Sequence, residues 1–120
     1  MNRVTDNRPW GSFIRFTHNE PSTVKLLYVK AGEAFSLQYH EHRQEFWRVI
    51  SGSPDVTVGT EIHHAKPGEE FTIPPQTLHR VSAVVDDVVI LEIATGMFDE
   101  DDIVRVEDKY NRGAHEKNNS

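Results

Sequence analysis

Apolar and polar residues alternate in short runs along most of this chain. Such runs occupy 12–17, 23–30, 34–42, 45–50, 55–58, 61–65, 70–73, 78–84 and 88–94. Each is rich in Val, Ile, Leu, Phe, Tyr or Thr, the residues that suit a pleated, half-buried surface. Turn-forming residues separate them: His18-Asn19-Glu20-Pro21-Ser22, Ala31-Gly32-Glu33, Ser51-Gly52-Ser53-Pro54, Gly59-Thr60, Lys66-Pro67-Gly68, Pro74-Pro75-Gln76 and Asp86-Asp87. Arg8-Pro9-Trp10-Gly11 forms an opening turn. No helical period appears before residue 97. The pattern predicts about nine short strands, the signature of an all-β sandwich or barrel. Phe98–Tyr110 is acidic and reads as a loop with a short helical turn, and the polar tail 113–120 is expected to be disordered. Residues 1–112 make one domain, with neither an internal repeat nor an interdomain linker.

One stretch breaks the alternation with chemistry. Ser36-Leu37-Gln38-Tyr39-His40-Glu41-His42-Arg43-Gln44-Glu45-Phe46-Trp47 gathers an amide, two histidines and a carboxylate. On a strand Gln38, His40 and His42 share one face, while Leu37 and Tyr39 share the other. Glu45 follows across a bend. Several N and O donors aimed at one point suit a divalent metal, whereas a lone His would read as a surface residue. Downstream, Pro74 and Pro75 stiffen a turn that delivers His79 to the next strand. Alone, His79 would read as a structural histidine; beside the first cluster it supplies the remaining donor.

Composition narrows the partners. The chain has 120 residues, a formal net charge of -6 and no cysteine. A domain of this size buries roughly two-thirds of its unfolded surface, enough for a core without staples. The acidic balance, with no Lys/Arg stripe, argues against nucleic acid and anionic membranes. Without cysteine there is neither a disulfide framework nor a thiolate metal site. Met1-Asn2-Arg3-Val4-Thr5-Asp6 lacks an apolar leader core and no segment is long enough to span a bilayer, so a cytoplasmic location is expected.

With both donor clusters in view, the chain resembles the cupins, small β-barrels with two metal-binding motifs. The spacings from Glu45 to Gly52, Gly68 to Pro74 and Pro74 to His79 follow those motifs. Gln76 stands where Gly is usual and Ala83 where Asn is usual. Counting from Gly32 or back from Glu45 puts the His-x-His slots on Gln38 and His40; matching by residue type puts them on His40 and His42. The resemblance thus implies metal ligands His40, Glu45 and His79, with His42 or Gln38 as the fourth and the other touching substrate or supporting a ligand from behind. It also implies the fold, a cupin-type double-stranded β-helix (jelly-roll barrel) with a short C-terminal acidic segment.

Arg8-Pro9-Trp10-Gly11, Val24-Lys25, the run 36–47, Asp101-Asp102-Ile103-Val104-Arg105 and Asp108-Lys109-Tyr110-Asn111-Arg112 look like the type II mannose-6-phosphate isomerase cupin domain. Phe46 replaces that family's usual His before Trp, and Asn111 its usual Gly before Arg. The Phe46 change, beside Glu45, bears on a proton-handling contact. Larger members carry a nucleotidyltransferase domain ahead of this module; these 120 residues hold no room for one, so guanylyltransferase activity is not expected.

This resemblance implies a metal-dependent aldose–ketose isomerase that interconverts mannose 6-phosphate and fructose 6-phosphate through a cis-enediol. One divalent ion (Zn, Mn, Ni, Co or Fe) would stabilise the enediolate charge. Arg105, the terminal arginine of the motif, is the expected catalytic group. Gln38, Lys25 and Arg80 are expected to bind substrate, the two cations through its phosphate. The catalytic base stays open among His42, Lys25 and a bound water. The alternatives are a non-catalytic sugar- or metal-binding cupin and another cupin enzyme such as a small-molecule dioxygenase. The expected partners are a sugar phosphate and a second copy of the chain, as a homodimer. His18, His63, His64 and His115 read as incidental, Trp10, Phe35, Trp47 and Phe71 as core or dimer interface, and 99–102 as a solvated acidic turn.

Overall fold

A computed structural model describes residues 1–97 and 99–107. Eleven strands run β1 Val4–Arg8, β2 Gly11–Arg15, β3 Ser22–Val29, β4 Leu37–Tyr39, β5 Gln44–Ser51, β6 Asp55–Val58, β7 Glu61–His64, β8 Glu70–Ile73, β9 His79–Ser82, β10 Val88–Thr95 and β11 Val104–Glu107. They form a four-stranded sheet in the order β3-β10-β5-β8, a five-stranded sheet in the order β11-β4-β9-β6-β7, and a β1–β2 hairpin. The pairings are all antiparallel. Among the described residues no helix is long and apolar enough to cross a membrane. The expected all-β class and the cupin-type double-stranded β-helix are what the chain adopts.

Alternation along the strands decides what lies inside. Leu27, Ile90 and Val49 stand side by side on neighbouring strands, as do Lys25, Glu92, Trp47 and Phe71 one pair further along. Trp47, Val49, Val56, Ile73, Val81, Val88 and Ile90 form one buried cluster, with Leu27, Val29, Phe35, Val58 and Phe71 packed on it. The barrel interior is therefore apolar towards one end. At the other end Lys25, Glu92 and Glu45 point inward from the first sheet, facing Gln38, His79 and Arg105 on the second. That division places the site.

Three expectations need correction. The Ala34–His42 run is a strand only over Leu37–Tyr39, the residues that pair with β11; Ala34 makes an isolated bridge to Ser82, and the chain bends from His40 where the pairing with β11 ends. Val4–Arg8, given no structure from sequence, pairs with Gly11–Arg15 across the Pro9-Trp10 turn. The acidic segment is not helical at Val104–Glu107, which pairs with β4, Val104 opposite Tyr39 and Arg105 opposite Gln38. Its alternating Val-Arg-Val-Glu was the strand pattern, obscured by the acidic residues before it. The expected tail at 113–120 and the Asp108-to-Arg112 motif lie outside the described residues.

Candidate metal centre

Three strands and two bends assemble the donors. His40 leaves β4, and its carbonyl accepts a 2.6 Å hydrogen bond from the Gln76 N–H, which ties the first bend to the Pro74-Pro75-Gln76 turn. Glu45 sits on β5 between Ala94 and Ile73, and His79 opens β9 opposite Gln38. All three are buried.

The donor atoms converge. His79 Nε2 lies 3.2 Å from His40 Nε2 and 3.1 Å from Glu45 Oε1, and His40 Nε2 lies 3.6 Å from the same oxygen. Ligands bonded at about 2.1 Å and at right angles around one ion stand about 3 Å apart, so this spacing fits a metal. Both rings are also oriented for ligation. His40 Nδ1 donates to the Asp102 carbonyl at 2.6 Å and His79 Nδ1 to the Thr77 carbonyl at 2.9 Å, leaving each neutral ring's Nε2 lone pair directed inward. Glu45 Oε1 is buried with no hydrogen-bond partner among the described residues, as suits an oxygen shaped for a cation.

The electrostatics agree. Burial pushes the His40 pKa down to about 4; the charges of His79 and Arg43 act the same way and Glu45 opposes them. Burial alone would raise the Glu45 carboxyl, yet the neighbouring His79, His40 and Arg43 hold it down at about 2. Near neutral pH His40 is therefore neutral and Glu45 ionised, the states that metal ligation requires of an imidazole and a carboxylate.

The remaining expected residues scatter. His42 is exposed and stays out of the His40–Glu45–His79 group; its backbone N–H bonds Asp102 Oδ2 at 3.0 Å. The four-residue bend thus leaves His42 on the outer side. Gln38 is buried beside His79 and its Oε1 accepts from the Ser36 hydroxyl at 2.5 Å. Lys25 faces inward opposite Glu92, its Nζ 3.6 Å from Glu100 Oε1. Arg105 is buried opposite Gln38. Arg80 lies on the outward face of β9: it donates to the Phe35 carbonyl at 3.1 Å, to Glu107 Oε1 at 3.0 Å and to the Glu107 carbonyl at 3.1 Å. The expected phosphate role of Arg80 does not fit this position, since strand alternation turns it away from His79.

Three residues escaped sequence reasoning. Arg43 is buried against the donors, with Nη2 3.1 Å from His40 Nε2 and Nε 3.1 Å from Glu45 Oε2. Asp102 braces the bend, its carboxylate accepting from the Glu41 N–H at 2.8 Å as well as from His42. Glu92 is a buried carboxyl in the middle of an apolar strand, and that isolation was the one sign of it. The departures from the cupin pattern also find places. Gln76 has a φ of 62°, the left-handed conformation that explains why glycine is usual there, and its side chain bonds Glu41 Oε2 at 3.0 Å. Phe46 points outward and packs on Phe16, 5.3 Å between ring centres, so it does not touch the donors. Ala83 is buried in the apolar cluster.

Comparison with known proteins follows the same outline. Residues 2–108 match the family model described as mannose-6-phosphate isomerase C-terminal. The mannose-1-phosphate guanylyltransferase RfbM of Salmonella typhimurium is 36% identical over 104 residues, which is 85% of this chain and 22% of RfbM. The xanthan biosynthesis protein XanB of Xanthomonas campestris pv. campestris is 37% identical over 107 residues, 88% of this chain and 23% of XanB. The chain thus spans less than a quarter of these relatives. A crystal structure of a cupin protein from Bacteroides fragilis superposes with a TM-score of 0.57 at 22% identity, covering 65% of this chain and 70% of that one. The relatives overturn the expected isomerase activity: at 36% identity, RfbM is named for guanylyl transfer to mannose 1-phosphate, not for isomerisation.

Proposed function

The chain belongs to the mannose-6-phosphate isomerase C-terminal family of cupin domains, and from that footing we propose that it is a divalent-metal- and sugar-binding cupin that performs no isomerisation. The observation that carries the metal part is the buried His40–Glu45–His79 group, whose ring Nδ1 atoms are both held by carbonyls. Two imidazoles and a carboxylate are a common donor set for Zn, Mn, Ni, Co and Fe, and the ion when bound would supply a Lewis-acidic centre for hydroxyl oxygens.

The protein's own residues supply the rest of the proposed sugar site. Gln38, Glu92, Lys25 and Arg105 face inward around the donors. An amide, a carboxyl and two cations offer donors and acceptors for sugar hydroxyls and a phosphate. The non-catalytic reading is supported by where two expected participants lie. Arg80 is committed to Phe35 and Glu107 on the outer face, and His42 stands outside the donor group. RfbM's name makes mannose 1-phosphate the first sugar phosphate to try.

Calorimetric titration with Zn²⁺ or Mn²⁺, then with mannose 1-phosphate and mannose 6-phosphate, tests this. One metal should bind per chain, His79→Ala should abolish it, and sugar-phosphate binding should vanish on chelation. A coupled assay should detect no fructose 6-phosphate from mannose 6-phosphate. Failure of the folded protein to bind any of these metals would sink the metal reading; metal-dependent turnover would sink the non-catalytic one.

A further inference from the structure

The guanidinium of Arg43 occupies one of the three converging donor atoms, His40 Nε2, and holds the second oxygen of Glu45, not the Oε1 that faces the histidines. Its Nη2 donates to His40 Nε2 at 3.1 Å, and its Nε donates to Glu45 Oε2 at 3.1 Å. With Nδ1 held by the Asp102 carbonyl, Nε2 is the only lone pair that His40 can offer. That lone pair accepts one N–H or binds one ion, and it cannot do both. Arg43 itself is buried, 3% exposed, and a guanidinium stays protonated at any ordinary pH. It therefore cannot yield to a metal by losing its proton; it has to move.

Resting on the metal-binding reading above, we propose that Arg43 is an internal competitor for the metal, which binds only as the guanidinium leaves His40. In the closed arrangement Arg43 bonds one oxygen of the buried Glu45 carboxylate and the His40 nitrogen, so the Glu45 charge has a cation beside it before any metal binds. A route outward exists: Nη1 already donates to the Asp99 carbonyl at 3.1 Å, and Asp99 and Asp101 are exposed at the rim. The acidic 99–102 segment is then the place where the displaced cation finds new partners. Metal affinity is set by this exchange, and falls below what the bare donor set would give.

The test compares Zn²⁺ binding by the whole wild-type chain and by Arg43→Met, which keeps bulk without donors or charge. The variant is expected to bind at least about tenfold more tightly. Equal or weaker binding by a folded variant overturns the competition while leaving the metal site standing; no binding by either protein overturns both. Because removing a buried guanidinium also puts folding at risk, a second readout uses the unaltered protein. The Arg43 Nη2–H resonance, identified by its absence in Arg43→Met, should be slow to exchange before Zn²⁺ is added and should shift and exchange faster as the metal saturates. An unmoved, still protected resonance at saturation overturns the proposal.

Discussion

Trp47 Nε1 donates a 3.0 Å hydrogen bond to Glu92 Oε1, joining two side chains that stand directly opposite each other on β5 and β10. Both are buried, and Trp47 also packs edge-on against His79 with 5.3 Å between ring centres. The indole therefore connects the carboxyl on one wall to a candidate metal donor on the other. Glu92 Oε2 has no hydrogen-bond partner among the described residues, and Glu45 lies near enough for its charge to be felt. Burial, then Glu45, push the Glu92 pKa up to about 8, against a smaller opposing pull from the indole and Lys25.

That shift predicts a pH dependence for the metal-free protein. The carboxyl keeps its proton in the fold up to about 8, whereas an unfolded glutamate releases it near 4.5. Between those values the native state binds more protons, so stability falls as pH rises from about 4.5 to about 8 and then levels off. Glu92→Gln keeps the acceptor for Trp47 but cannot ionise. Urea unfolding should show the variant matching wild type near pH 4 and exceeding it at pH 8, by on the order of a few kcal/mol. Parallel stability curves for the two proteins would contradict the shift.

Much of this was legible in the sequence for a physical reason. Strand alternation and turn residues are local, so β6 and β8 were found at their observed bounds and most other strands to within a few residues. His40, Glu45 and His79 stood out because clustered donors are rare on a solvated strand. What the sequence hid depends on distance along the chain. Whether His42 or Arg43 turns inward is decided by Asp102, which lies 60 residues from His42 and grips the bend by its backbone. Glu92 becomes a partner for Trp47 only once β5 and β10 pair, and the fate of Arg80 needed β11.

Gly52 closes β5 at a φ of 88°, and a Cβ placed there would sit 2.3 Å from the Asp87 carbonyl oxygen and 3.0 Å from Val88. Neither neighbour is a flexible side-chain end. Gly52→Ala should therefore destabilise by about 2 kcal/mol or more, from left-handed strain plus displaced backbone. Gly59, at a φ of 62° with nothing within 4 Å of where a Cβ would stand, provides the control. Gly59→Ala carries the conformational cost alone and should lose about 1 kcal/mol. Equal losses by thermal denaturation would remove the steric account of Gly52.

Arg80 gives a test of which cations belong to the ligand site. Arg80→Ala removes three hydrogen bonds that join β9 to Phe35 and to the end of β11. Stability should fall by about 1–2 kcal/mol, while sugar-phosphate affinity stays within about twofold of wild type. Lys25→Ala should do the reverse, weakening sugar-phosphate binding by about tenfold with a smaller effect on stability. Calorimetry on both variants decides it; a large affinity loss in Arg80→Ala alone would return the phosphate to the outer face.

Asp102 holds the bend at three points: its carbonyl takes the His40 Nδ1–H, and its carboxylate takes the Glu41 and His42 N–H groups. Partial burial would raise the Asp102 carboxyl, but those two backbone hydrogen bonds, together with the charges of His40 and His42, hold the pKa below the usual value. The carboxylate is thus ionised well into mild acid. In Asp102→Ala the carbonyl remains but the carboxylate grip is lost, so the bend should loosen and the His40 ring should lose its fixed direction. Metal affinity is expected to fall by about tenfold to a hundredfold, the range seen when a group behind a ligand is removed. Asp102→Asn retains one acceptor oxygen and should recover part of that loss. A purely structural role would lower the unfolding midpoint without this graded change in Zn²⁺ affinity, so both are measured on each variant. Unchanged affinity in folded Asp102→Ala would show that His40 is held well enough by its own chain.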